Sequence, residues 1–300
     1  MSLDAPEHAE SPVVHSIPRR YVALGLIVLA IILVGVLVLV RNANQTDTTS
    51  DTETITLAPT SMLTALAHVP ASVSAAVGVG VNAAAGPITP PTATGNTSLW
   101  ESSGAGVGAR PVVFFYGAEF APYAAAERWP LVVALSRFGS FGQLGLMQSS
   151  TSVAFSDTNS FTFWHAKYSS VWIDLQTIER YSSLNPTGIG FASLQTPTPR
   201  QAASVAVYDT STETFPLLDV ANHFVLAGSS FSPSVLGGLS QDQIVTDLSL
   251  PTSPVAQAIL ASANEITAAI CSATGDRPAA VCSTRGVAAA NAKMKIRPAA

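Results

Sequence analysis

The chain has 300 residues, only 11% of them charged, and a formal net charge of −5. Its few Lys and Arg are scattered, which excludes the clustered cations of a nucleic-acid footprint. Residues 41–300 suffice for one sizeable core.

Residues 1–20 read as a short polar tail. Tyr21 to Val40, YVALGLIVLAIILVGVLVLV, holds no charge, proline or amide. At about 1.5 Å per residue it spans the roughly 30 Å of a bilayer core. The apolar region of a secretory signal would be shorter, and no A-x-A-like cleavage site follows in LVLVRNAN. The segment 21–40 is therefore expected to be an uncleaved single-pass anchor in the cell membrane. Arg19 and Arg20 precede it, Arg41 follows it, and no further Lys or Arg occurs before Arg110. Cationic flanks stay cytoplasmic, so the N-terminus is expected inside and the C-terminal domain outside the cytoplasm.

Residues 41–55 are polar and read as a linker. An N-terminal extension, 56–110, follows, with a short helix over Ser61 to His68 behind Pro59 and a Gly/Pro-rich loop over 82–110. A folded domain is expected over 111–290 and a short tail over 291–300. The domain opens on Pro111 to Tyr116, PVVFFY, an apolar β-branched and aromatic run typical of a strand buried on both faces. After a loop over Gly117 to Phe120, Pro122 starts a helix, since its missing N–H has no helical partner there anyway. Pro130 should kink that helix and Gly139 end it.

Leu144 to Gln148 is read as a second strand, parallel to the first through a right-handed crossover. Phe161 to His165 and Val171 to Leu175 read as strands, and Pro199 to Tyr208 as a helix. Phe215 to Val220 and His223 to Ala227 read as an antiparallel pair turning at Ala221-Asn222. Gln241 to Leu248 and Pro254 to Cys271 read as helices. The sum is an α/β sandwich, a central mixed sheet flanked by helices.

Cys271 and Cys282 fall in the exported part, where an oxidising compartment lets them pair. A structural staple and a redox-active pair are both compatible with the spacing. No further ligand lies near them and the five histidines show no metal-ligand spacing. Neither a metal nor a cofactor is expected.

The chemistry concentrates in FFYGAEFAPYAAAERW, residues 114–129. A strand feeds a helix whose N-terminus carries unpaired N–H groups and about half a positive charge. A thiolate placed there is stabilised and attacks disulfides near neutral pH, and a second thiol three residues on resolves the mixed disulfide. Both positions hold alanine, Ala121 and Ala124, flanking Pro122 and Tyr123. Glu119, just before the helix, serves either as a proton relay or as a dipole cap or ion-pair partner of Arg128. Trp129 reads as core.

This segment resembles the thioredoxin superfamily. It is most similar to a membrane-anchored group of archaeal and actinobacterial proteins, a domain of unknown function with a thioredoxin-like fold and the motif G-A-E-[FW]-C-P-[YF]-C-A-A-E-R-W. The match holds at Gly117 to Phe120, Pro122, Tyr123 and Ala125 to Trp129, and fails only at the two cysteine positions. Natural loss and deliberate replacement both give this sequence. The resemblance covers roughly residues 56–290 and implies a thioredoxin-like sandwich with insertions. It also implies a cis bond at Phe215-Pro216, whose backbone would hold a substrate peptide. Its implied activity is thiol–disulfide exchange on exported clients, with or without a membrane redox partner.

Three functions follow. The first is an oxidoreductase scaffold without its thiols, redox-inactive as written. The second is a non-enzymatic client-binding module using the groove at Pro216. The third is redox chemistry relocated to Cys271 and Cys282.

Overall fold

The computed structural model describes residues 55–80, 83–104, 107–184, 189–208 and 215–296. The expected tail (1–20), membrane helix (21–40) and nearly all of the linker (41–55) lie outside the described residues.

Two short helices open the described chain, α1 (Thr60–Ala67) and α2 (Ala71–Val77), with Pro59 and Pro70 at their cap positions. Strands β1 (Thr92–Ala93), β2 (Glu101–Gly104) and β3 (Val107–Gly117) follow. Then come α3 (Pro122–Ser136), β4 (Gly139–Gln148), β5 (Asn159–Ser170), β6 (Asp174–Glu179) and α4 (Pro199–Tyr208). The hairpin β7 (Leu217–Val220) and β8 (Phe224–Ala227) precedes α5 (Gln241–Asp247), α6 (Pro254–Ala273), α7 (Ala279–Cys282) and α8 (Arg285–Met294).

The architecture is a central mixed sheet flanked by helices. β3 is its spine. It pairs in parallel with β6, from Val112↔Asp174 to Gly117↔Glu179, and antiparallel with β7, from Val113↔Val220 to Tyr116↔Leu217. β7 pairs antiparallel with β8, and β8 with β1. Val112 to Phe115 are wholly buried, as a continuous apolar run between covered faces requires. Ala221 and Asn222 both take positive φ, 55° and 64°, at the centre of the Val220–His223 turn, and three residues, 221–223, join the paired strands.

The strand expected over Val171 to Leu175 begins only at Asp174 and runs to Glu179, and two further expectations fail. Leu144 to Gln148 does not lie parallel to the first strand: β4 forms a separate two-stranded antiparallel sheet with β5, and the parallel partner of β3 is β6. The cause is close cross-strand fit. A Cβ on Gly145 would meet Thr162 at 2.7 Å and one on Gly139 would meet the Ser169 carbonyl at 2.2 Å, so only glycine permits this pairing. Across the pair, Phe141 contacts Phe163 and Tyr168 at ring centroids of 6.3 and 5.0 Å. The 82–110 loop also contains β1 and β2, so the extension supplies strands to the sheet.

α6 is buried along nearly its whole length. Among the described residues it is the one single helix long and apolar enough to cross a membrane, and it is a core helix here. Asn264 on α6 binds α2: it accepts from Ser74 Oγ at 2.7 Å and donates to the Gly78 carbonyl at 2.7 Å. Gly286 of α8 lies against the same amide, where a Cβ would sit 2.6 Å from it.

Candidate functional site

β3 delivers the chain to the site and α3 carries it away. Gly117 closes the strand where a Cβ would lie 2.4 Å from the Phe115 ring. The loop that follows is pinned by its backbone. Arg180 N–H donates to the Gly117 carbonyl at 2.7 Å and Glu119 N–H to the Tyr181 carbonyl at 2.8 Å. Ser150 N–H donates to the Phe120 carbonyl at 3.1 Å. Ala121 is the N-cap of α3, in extended backbone with no side-chain cap; Pro122 is the first helical residue, and the first turn carries no acid. The dipole end of α3 therefore has neither a side-chain cap from Ala121 nor an acid within its first turn.

Ala121 is 7% exposed and Ala124 0%. The helix tip is covered rather than open. Tyr123, between them, is 42% exposed and meets the Phe155 ring edge-on at 5.9 Å. Phe120, the residue before Ala121, stacks on Phe191 at 4.1 Å.

The Phe215–Pro216 peptide bond is cis. Phe215 packs its ring on Tyr116 at 5.2 Å and on Phe120 at 5.8 Å, so Phe215 and Pro216 stand beside the 117–121 loop as β7 begins. The Pro216 carbonyl accepts from Gly228 N–H at 2.7 Å, within the hairpin. The structure thus brings together Glu119, Ala121, Pro122, Tyr123, Ala124 and Phe215-Pro216, residues nearly a hundred positions apart in sequence.

Glu119 is buried and accepts a hydrogen bond from Thr162 Oγ1. It is not the carboxylate that Arg128 holds. That partner is Glu179, at the end of β6: Nε to Oε1 at 3.0 Å and an outer guanidinium nitrogen to Oε2 at 2.6 Å, both side chains fully buried. The same Glu179 accepts Phe163 N–H at 3.1 Å. Glu127, the neighbour of Arg128, faces elsewhere. It accepts from Ser230 N–H at 2.7 Å and Ser230 Oγ at 3.1 Å. Burial, with a smaller push from Glu265, raises its carboxyl to about 8, so it is protonated at neutral pH.

Cys271 and Cys282 form a disulfide with Cα atoms 5.7 Å apart. Both sulfur-bearing residues are buried, on α6 and α7, apart from the cluster at the α3 tip.

A family model described as "Domain of unknown function (DUF929)" matches residues 106–272, more than half of the chain. The chain belongs to this family. No curated protein and no solved structure matches it. The DUF929 span begins with β3 and takes in α3, β6, the Phe215-Pro216 corner and α6 as far as Cys271, so every group gathered at the helix tip lies within it. Within the DUF929 span the sequence reading missed the ion pair Arg128–Glu179 and the acid Glu127. The only local signal was that Glu127 and Arg128 sit mid-helix among alanines and Trp129, where a solvated charge is out of place.

Proposed function

We propose that this DUF929 protein is a thioredoxin-like domain, tethered outside the cytoplasm by residues 21–40, whose exchange site lacks its two thiols. The strand sequence β6–β3–β7–β8, with β6 parallel and β7 antiparallel to the spine and α3 issuing from the end of β3, supports that reading. The observation that carries it is the uncapped α3 terminus, with Ala121 and Ala124 on its first turn and Phe215-Pro216 beside it. A thiolate at 121 would meet a dipole that neither the N-cap residue nor a first-turn acid now neutralises. Alanine offers neither nucleophile nor redox couple, so the chain as written is inactive in thiol–disulfide exchange.

The test is Ala121→Cys/Ala124→Cys in the full chain. The restored protein should catalyse reduction of insulin by dithiothreitol, while the chain as written stays at the uncatalysed rate. A restored pair that titrates as two ordinary thiols and leaves insulin intact overturns the proposal.

A second reading, client binding without chemistry, is favoured by the Tyr123–Phe155 pair, two aromatic side chains both 42% exposed at the tip. An exported protein client held there would be released by Tyr123→Ala, with no dependence on thiols. The third, redox at Cys271 and Cys282, is opposed by burial, since exchange requires an accessible thiolate.

A further inference from the structure

At the other end of β7 lies a cavity of about 420 Å³, walled by α4, by Trp100 and by the β7–β8 turn. Its size is that of a small-molecule site. Asp219, which lines it, pairs with Phe114 on the spine. It stands three residues past Pro216, about 10 Å further along the strand at roughly 3.3 Å per residue. The cavity is thus separate from the helix tip.

Two of the groups that line this cavity, Asp219 and Arg200, carry opposite charge. Asp219 is only 1% exposed. Its oxygens accept from Ser204 Oγ at 2.7 Å and from Asn222 N–H at 2.6 Å, both neutral donors. Among the described residues no cation stands within ion-pair distance of it, and burial pushes its carboxyl upward despite the fields of Arg200 and His223. A carboxylate so placed lacks the direct partner that buried charge usually has. Arg200, by contrast, is exposed, and its guanidinium lies over the Trp100 ring, 4.9 Å from its centroid. Among the described residues it donates no hydrogen bond, so its planar fork is unused. Two further acceptors of the lining residues, Tyr208 Oη and Asn96 Oδ1, have no hydrogen-bond partner among the described residues. Val207 and the indole edge supply the apolar wall.

We propose that this cavity binds a small zwitterion of the α-amino-acid type, its ammonium toward Asp219, Tyr208 and Asn96 and its carboxylate on Arg200. An anion alone would approach a buried carboxylate, and a cation alone would compete with the guanidinium already seated on Trp100. A ligand with both charges meets attraction from each of the two groups.

The test is calorimetric titration of the full-length chain with L-leucine, L-phenylalanine and L-serine, beside 4-methylpentanoate and 3-methylbutylamine, the leucine frame with one charge removed. At least one amino acid should bind saturably at millimolar concentration or below, and each single-charge compound should bind at least about tenfold more weakly than leucine. Arg200→Ala, a change on an exposed helix face, and Asp219→Asn should each weaken amino-acid binding by about tenfold or more with the far-UV spectrum unchanged. If Asp219→Asn disturbs the turn it caps, Arg200→Ala alone decides. Absence of saturable binding by all three amino acids, equal binding of the carboxylate or the amine alone, or full retention of affinity in Arg200→Ala overturns the assignment.

Discussion

The two flanks of α3 handle buried acid in opposite ways. Toward β5 and β6, a carboxylate meets a guanidinium: Glu179 takes two contacts from Arg128 and one from the Phe163 backbone. Toward α6, a carboxyl meets only neutral donors and feels the field of another carboxyl. Among the described residues Glu127 is held by Ser230 alone, and the charge that acts on it is that of Glu265, itself buried and contacted by Lys293 Nζ at 2.6 Å, close but not aligned as a hydrogen bond. Adjacent residues of one helix thus sit in different ionisation states. Burial by itself does not set the charge of a side chain; the partner across the interface does.

The largest expected effect comes from breaking the paired flank. Arg128→Met leaves Glu179 buried without its cation and should cost about 3–5 kcal/mol in denaturant unfolding. The double change Arg128→Met/Glu179→Gln should recover most of that loss, because no charge is then stranded. A single variant as stable as the parent would remove the distinction between the flanks.

Next is the unpaired flank. Glu127 has a raised carboxyl, about 8 against 4.5 when unfolded. Stability from this group is therefore complete below the unfolded value and is lost as pH climbs through the folded one. Glu265 is raised as well, by burial, so its contribution has the same sign. Between pH 4.5 and 8 the parent should lose stability on the order of a few kcal/mol from this flank. Glu127→Gln should flatten that slope and be the more stable form at pH 8, read from thermal melts across the range. An unchanged slope would mean that Glu127 is ionised in the folded protein.

The smallest effect sharpens the same contrast. Lys293→Met removes the half-exposed ammonium that meets Glu265, and solvent softens the loss, so about 1–2 kcal/mol is expected. The variant should also raise the Glu265 carboxyl further, seen by carbon NMR as a later titration. A cost equal to that of Arg128→Met would place the two ion pairs in one class.

Much of the frame was legible in the residues. PVVFFY announces a strand covered on both faces because no polar side chain interrupts it, and Pro122 marks the first turn of α3 because proline lacks only the N–H that a helix start leaves unused. The 199–208 helix and the turn at Ala221-Asn222 appear where local pattern put them. The parallel partner of β3 was not legible. Leu144 to Gln148 and Asp174 to Glu179 are both short apolar-to-mixed runs, and periodicity does not say which strand a run will pair with. The fit of Gly139 and Gly145 against β5 decided it. Arg128 and Glu179 are 51 positions apart, and no spacing rule links them.

From the sequence came the local elements and the place where helix and strand meet at Ala121 and Ala124, because hydrophobic period and proline position act over a few residues. Tertiary structure alone decided that Phe215 would stand against that tip, that Arg128 would choose Glu179, that Glu127 would keep its proton, and that Asp219 and Arg200 would face one cavity. Each of these depends on which groups lose water together, and that is set by contacts between distant segments.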